Sequence, residues 1–191
     1  AGLPPAAASA PNILVIVVDT LRADHLSGYG YPRQTSPNLD RLAQQGVSFQ
    51  NAISTSSWTL PAHYSLLTGR YPFQAKDKNG APVNDPRTIG EVLQARGYRT
   101  AAFSGNYYVF SRRLGFGRGF IHFEDYYRTP GNALTGAYYG RLLESAALER
   151  LFRSQNKLSR YLAEDINRAA LNWVDGDPQR PFFVFINYYD V

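Results

Sequence analysis

Asp19, Thr59 and His63 are of the types, and stand in the local contexts, that a nucleophilic site uses. Asp19 closes the run N-I-L-V-I-V-V-D, residues 12–19, an unbroken apolar and β-branched stretch. A carboxylate at the tip of such a strand needs a partner, because an unpaired buried charge is costly. A metal ion or other cation would serve, and so would a capping role in the following loop. Thr59 stands in S-S-W-T-L-P-A-H-Y-S-L-L-T-G-R, residues 56–70, a polar turn feeding a short helix. Pro61 suits the first helical turn and Gly69 the left-handed residue after the last. Thr59 is therefore predicted at or just before the helix start, beside open backbone N–H groups and the positive dipole end. That makes an anion site with an alcohol at its mouth. Thr before a helix is also an ordinary N-cap, and on this stretch both readings stand. His63 follows one turn later, so it and Thr59 can face one cleft. A helix-borne His is ordinarily a surface or core residue, and that reading stands beside the catalytic one.

The elements that position these residues alternate between strand and helix. Residues 12–19 do not alternate apolar with polar, which predicts a strand buried on both faces at the centre of a parallel sheet. Ligands bind at the C-terminal edge of such sheets, where Asp19 arrives. Ser36 as N-cap, Pro37 in the first turn and Gly46 past the end bracket a helix from Pro37 to Gln45, with Leu39 and Leu42 facing inward. Val47 to Ala52 reads as a short strand, and a Ser/Thr-rich loop then delivers Trp58, read as a packing residue rather than a substrate platform. Residues 73–84 read as a loop. Thr88 and Glu91 make a capping box for a helix reaching Arg96, with Ile89, Val92 and Leu93 on one face and Gly97 ending it. Tyr98 to Phe103 is the next strand, and Ser104, Gly105 and Asn106 follow at its C-terminal end. A Tyr/Gly loop over 126–140, helices over 142–152 and 161–174, and a strand over 182–187 complete the chain. The alternation predicts a three-layer α/β sandwich with a mostly parallel sheet.

With 191 residues and 44% hydrophobic content, the chain can bury one core. The absence of Cys excludes disulfides, and the absence of Met with a final strand pattern running to Val191 reads as a piece of a longer protein. A net charge of +5 with scattered Arg residues argues against a nucleic-acid partner. No apolar run approaches the ~18 residues that span a membrane, so no membrane contact is expected in this segment. Residues 1–11 are Ala/Pro-rich and read as a disordered linker. Such linkers often follow a signal peptide or an upstream membrane anchor, which would suit a periplasmic, extracellular or membrane-anchored protein.

Four blocks resemble the sulfatase family of the alkaline phosphatase superfamily. Thr59-Leu60-Pro61-Ala62-His63 with Leu66-Leu67-Thr68-Gly69-Arg70 is similar to its signature C-x-P-x-R-x-x-L-x-T-G-R. The stretch from Val18 to Leu26 resembles the first metal-binding strand and loop, that from Ser36 to Ala43 the next helix, and Gly115 to Phe123 a later loop. The resemblance covers roughly residues 12 to 191 and implies a sulfatase-like catalytic domain, of which this would be the truncated N-terminal portion. It implies a small anionic ester as substrate and one divalent metal, Ca²⁺ or one of Mn²⁺, Zn²⁺ and Mg²⁺, held by Asp19 and Thr59. It also implies Thr59 and His63 as catalytic residues, with Asp24 and His25 outside the metal shell. Asn106 stands near the position of a sulfate-gripping Lys and would donate to an ester oxygen, although a turn role suits it equally. The departures carry as much information. Thr20 follows Asp19 where many sulfatases have a second Asp, and His63 replaces the signature Arg. Thr59 replaces the Cys or Ser that becomes formylglycine, so no formylglycine is expected. Relatives with an unmodified Thr are phosphodiesterases or phosphoryl-group transferases, and a degenerate binding member is a third reading.

Overall fold

Among the described residues, four strands form one sheet in the order β1-β4-β2-β3: β1 Ile13–Val18, β2 Arg99–Ser104, β3 His122–Glu124 and β4 Phe182–Tyr188. Strand β2 runs parallel to both neighbours, with Thr100 opposite Phe183, Ser104 opposite Asn187 and Ala101 opposite His122. The computed structural model describes residues 2–7, 9–75, 87–106, 109–125 and 162–189. The expected Tyr/Gly loop at 126–140, the helix at 142–152 and most of the 73–84 loop lie outside these. The chain divides into two compact units, Ala1–Val17 with Arg87–Asp190, and Val18–Pro86 with Val191.

In the first unit, β2 and β4 are buried on both faces; the apolar run from Phe182 to Ile186 in β4 requires it, whereas β2 carries Arg99, Thr100 and Ser104 among its apolar residues. Successive Cβ atoms point to opposite faces. Ala101, Phe103, Val184 and Ile186 accordingly pack on Ile166 and Ala170 of helix α4, Ala163–Asp175. On the other face Phe183 and Phe185 meet a phenylalanine cluster, with Phe110 4.9 Å from Phe185 and Phe120 5.6 Å from Phe183, ring to ring. Each such side chain contributes about 1.5–3 kcal/mol by leaving water. Arg99 closes the C-terminus of α4, donating to the carbonyls of Trp173 (2.6 Å) and Val174 (3.3 Å), so carbonyls at the helix end gain a cationic partner, and it also donates to the Asp177 carbonyl just beyond (2.8 Å).

Helix α3, Ile89–Ala95, starts on the expected capping box: Thr88 Oγ1 accepts from Glu91 N (3.1 Å) and Glu91 Oε2 from Thr88 N (2.8 Å). Leu93 is buried, whereas Ile89 is exposed. The helix start also explains the glycine-rich block at 115–120. Arg118 pairs with Glu91 at 3.0 Å and its carbonyl accepts from Thr88 Oγ1. Gly119, at φ +77°, passes so close that a Cβ there would lie 2.0 Å from Glu91 N.

Strand β1 departs from expectation. It lies at one edge of the strand order rather than the centre, and Leu14 and Ile16 are 54% and 50% exposed. An apolar run shows that a strand can be buried on both faces, but the burial itself depends on covering elements, and none of the described residues covers this face. Before β1, Pro4–Ala6 run against Gly97, where a Cβ would lie 2.6 Å from Ala6 N, and Asn12 Oδ1 accepts from Phe182 N.

The second unit holds helices α1, Pro37–Gln44, and α2, Thr59–Thr68. Leu39 and Leu42 of α1 do not face inward; both are exposed. Ser36 occupies the N-cap position without a capping bond, its hydroxyl engaging Asp40 instead (2.9 Å). Val47 to Ala52 forms no strand. A strand needs neighbours for its N–H and C=O groups, and here the Phe49 carbonyl accepts from the Tyr29 hydroxyl instead. Among the described residues no helix is long and apolar enough to cross a membrane.

Candidate functional site

Asp19 is 8% exposed and follows β1 directly in the chain. The next residue, Thr20, turns the backbone at φ +65°. This left-handed conformation is strained for a β-branched side chain. Asp24 and His25 beyond it make local contacts, Asp24 with Arg22 (2.5 Å) and His25 stacked on Tyr31 (ring centroids 5.2 Å apart).

Helix α2 begins at Thr59 and ends on Gly69 at φ +67°. Trp58 takes the N-cap position, so Thr59 is the first helical residue and its hydroxyl does not cap the helix. Thr59 Oγ1 instead donates to Asp19 Oδ1 at 3.3 Å. One turn on, His63 Nδ1 lies 2.8 Å from the Thr59 carbonyl oxygen. A carbonyl only accepts, so the proton sits on Nδ1 and the ring lone pair on Nε2. His63 is 4% exposed, and burial holds its imidazole below the ordinary pKa, against the opposing pull of the Thr59 carbonyl and the Asp19 charge. Carboxylate, hydroxyl and neutral imidazole are thus linked through Thr59.

Asn106 belongs to the sheet unit, at the end of β2, and is buried. Its N–H donates to Ser104 Oγ (3.1 Å) and its carbonyl accepts from Phe110 N (2.9 Å), the pattern of a turn residue. Trp58, read from sequence as packing, is 64% exposed. The bend at Thr20 had no sequence signal, since a β-branched residue is among the last expected at positive φ.

As donors, the Asp19 carboxylate and the Thr59 hydroxyl suit a hard divalent cation in kind. They make two ligands, where such ions take about four to eight. No group of three or more His, Cys, Asp or Glu residues gathers among the described residues.

Residues 11–190 match the model of the sulfatase family. The chain belongs to this family. It is 42% identical over 104 residues to arylsulfatase A of Bos taurus, covering 50% of this chain and 20% of that protein. It is 39% identical over 97 residues to an N-acetylgalactosamine-6-O-sulfatase of Bacteroides thetaiotaomicron, covering 47% of this chain and 19% of that one. The matched region is thus about a fifth of the length of these sulfatases. The phosphonate monoester hydrolase of Agrobacterium radiobacter shares the fold, with a TM-score of 0.65 at 17% identity over 95% of this chain and 41% of its own.

Proposed function

We propose that the full-length protein is a metal-dependent hydrolase of small anionic sulfuric or phosphoric esters with Thr59 as its nucleophile. The observation that carries this reading is the Thr59 hydroxyl turned away from the capping position and onto Asp19 at 3.3 Å. An unassisted alcohol is a weak nucleophile. Asp19 holds the hydroxyl proton and so directs the oxygen lone pairs away from itself. The open N–H groups at the start of α2 favour the negative charge of the ester. His63, neutral through burial and fixed by its bond to the Thr59 carbonyl, enters as a proton acceptor rather than as the acid for a leaving oxygen. A divalent cation held by Asp19 and Thr59, with further ligands, would lower the pKa of the hydroxyl and polarise the ester.

The nucleophile favours a second reading of the same site. Thr cannot be converted to formylglycine, so the hydrated-aldehyde route to sulfate esters is closed. An alcohol nucleophile suits phosphoryl transfer, as phosphodiesterase or phosphoryl-group transferase. The test is hydrolysis of 4-nitrophenyl sulfate and phosphate esters by the full-length protein and its Thr59→Ala variant. Turnover should fall about 10³-fold or more, with a stability loss of about 1 kcal/mol, one modest hydrogen bond. Thr59→Cys, made with a formylglycine-generating enzyme, should move the preference toward sulfate. Unchanged turnover in Thr59→Ala would reduce the residue to a structural role, and a wild-type protein that binds such esters without turnover would be a degenerate binding member.

A further inference from the structure

We infer that Trp58 is the platform on which the organic ring of the substrate stacks while its ester group meets Thr59, an inference that rests on the reading of Thr59 as nucleophile. Indole is a large apolar surface that folded chains bury on average, yet Trp58 is 64% exposed. Its backbone, by contrast, is held on both sides. The Trp58 N–H donates to Ser56 Oγ at 3.1 Å, and its carbonyl accepts from Ala62 N at 3.2 Å as the first bond of α2. The root of the indole is therefore fixed one peptide unit, about 3.8 Å between Cα atoms, from the reacting residue.

Small-molecule sites join apolar or aromatic walls to a few placed polar groups. Thr59, Asp19 and His63 are the polar groups, and Trp58 is the aromatic residue joined to Thr59 by a peptide bond. Val47, Phe49 and Ile53 are exposed as well, but they lie six or more residues before Thr59, in a segment with no helix or strand. The ligand class is an ester whose organic part presents a flat apolar face, aryl or pyranose, rather than a short alkyl ester.

The test compares ring-bearing and ring-free probes on full-length wild type, Trp58→Ala and Trp58→Phe. Binding is measured by calorimetric titration with phenylphosphonate and methylphosphonate, and turnover with phenyl and methyl esters. Trp58→Ala should weaken phenylphosphonate about tenfold and raise KM for the phenyl ester by a similar factor. Its kcat, its methylphosphonate affinity and its melting temperature should stay unchanged, and Trp58→Phe should restore most of the loss. Equal changes for both probes, or no change for either, would overturn the platform. Ring-selective loss of binding in a wild-type protein without turnover would support the platform and remove the nucleophile. Loss of turnover in Thr59→Ala with probe-independent effects of Trp58→Ala would do the reverse.

Discussion

The two units differ in what they bury. In the sheet unit the buried side chains are mostly apolar, among them Phe103, Phe110, Phe123, Phe183, Phe185 and Ile166, all fully enclosed. Among the described residues of the second unit, Leu67 is the one buried apolar side chain, beside Asp19, Ser36, His63 and Ser65. The first is ordered by dispersion and loss of water contact, which are non-directional and favour density. In the second, Asp19, Ser36 and His63 are held by directed hydrogen bonds, each of which fixes one atom at one place, while the buried Ser65 hydroxyl has no hydrogen-bond partner among the described residues. Catalysis needs that kind of placement, and the residues proposed for it, Asp19, Thr59 and His63, lie in the unit with little apolar core of its own.

Core truncation is the strongest way to break this comparison. Phe185→Ala removes a ring packed on Phe110 and should cost about 3–5 kcal/mol. Leu67→Ala, in the unit with little apolar packing, should sit near the low end for such changes, about 2 kcal/mol. Urea unfolding of both variants, read at constant m, checks the difference. Equal losses would mean that Leu67 belongs to a core as dense as the sheet's.

Sequence made part of the sheet unit legible, where its signals were local and self-consistent; β3 at His122–Glu124 was missed, since it overlaps the 115–123 stretch read as a loop. The apolar run of β4, the Thr88–Glu91 box and Gly97 after α3 each determine a backbone state within a few residues. Pro61 and Gly69 did the same for α2, and the helix start with the strand end before Asp19 pointed to two of the three site groups. The other failures share one cause. Leu39, Leu42, the 47–52 segment and the outer face of β1 all carry apolar patterns. A pattern states which face can be buried, and only tertiary contacts decide whether it is. Trp58 failed for the same reason. At Thr59, preference favoured a cap, and the long-range bond to Asp19, forty residues away, prevailed.

Strain at the site sharpens the comparison by a smaller amount. Thr20 holds φ +65° beside Asp19, a conformation that Asn adopts more readily because its side chain bonds locally. Thr20→Asn should therefore stabilise the protein by up to about 1 kcal/mol. Thermal unfolding reads this directly, and a loss of stability would mean that the Thr20 side chain makes up for its backbone.

The smallest effect concerns how the polar unit responds to acid. Asp40 accepts from Ser27 Oγ at 2.6 Å, Gln34 Nε2 at 2.9 Å and Ser36 Oγ at 2.9 Å. Gly28 leaves room for this, since a Cβ there would lie 2.9 Å from Asp40 Oδ1. The Ser27 hydroxyl foremost, then Ser36, the Gly28 N–H and Gln34, hold the Asp40 carboxyl below its usual pKa against the cost of desolvation. A carboxylate with a depressed folded pKa binds fewer protons folded than unfolded, so its contribution is full above the unfolded value, about 3.9. That contribution is lost as pH falls through the folded value. Solvent still screens this half-buried group, so the effect belongs to the shape of the acid limb rather than to stability at neutral pH. Asp40→Asn keeps the side-chain shape and removes the charge. The stability gap between wild type and variant should be constant above about pH 5 and close toward pH 2. Parallel curves down to acid unfolding would mean that the hydroxyls bond the amide as well as the carboxylate, and that charge plays no part in ordering this end of α1.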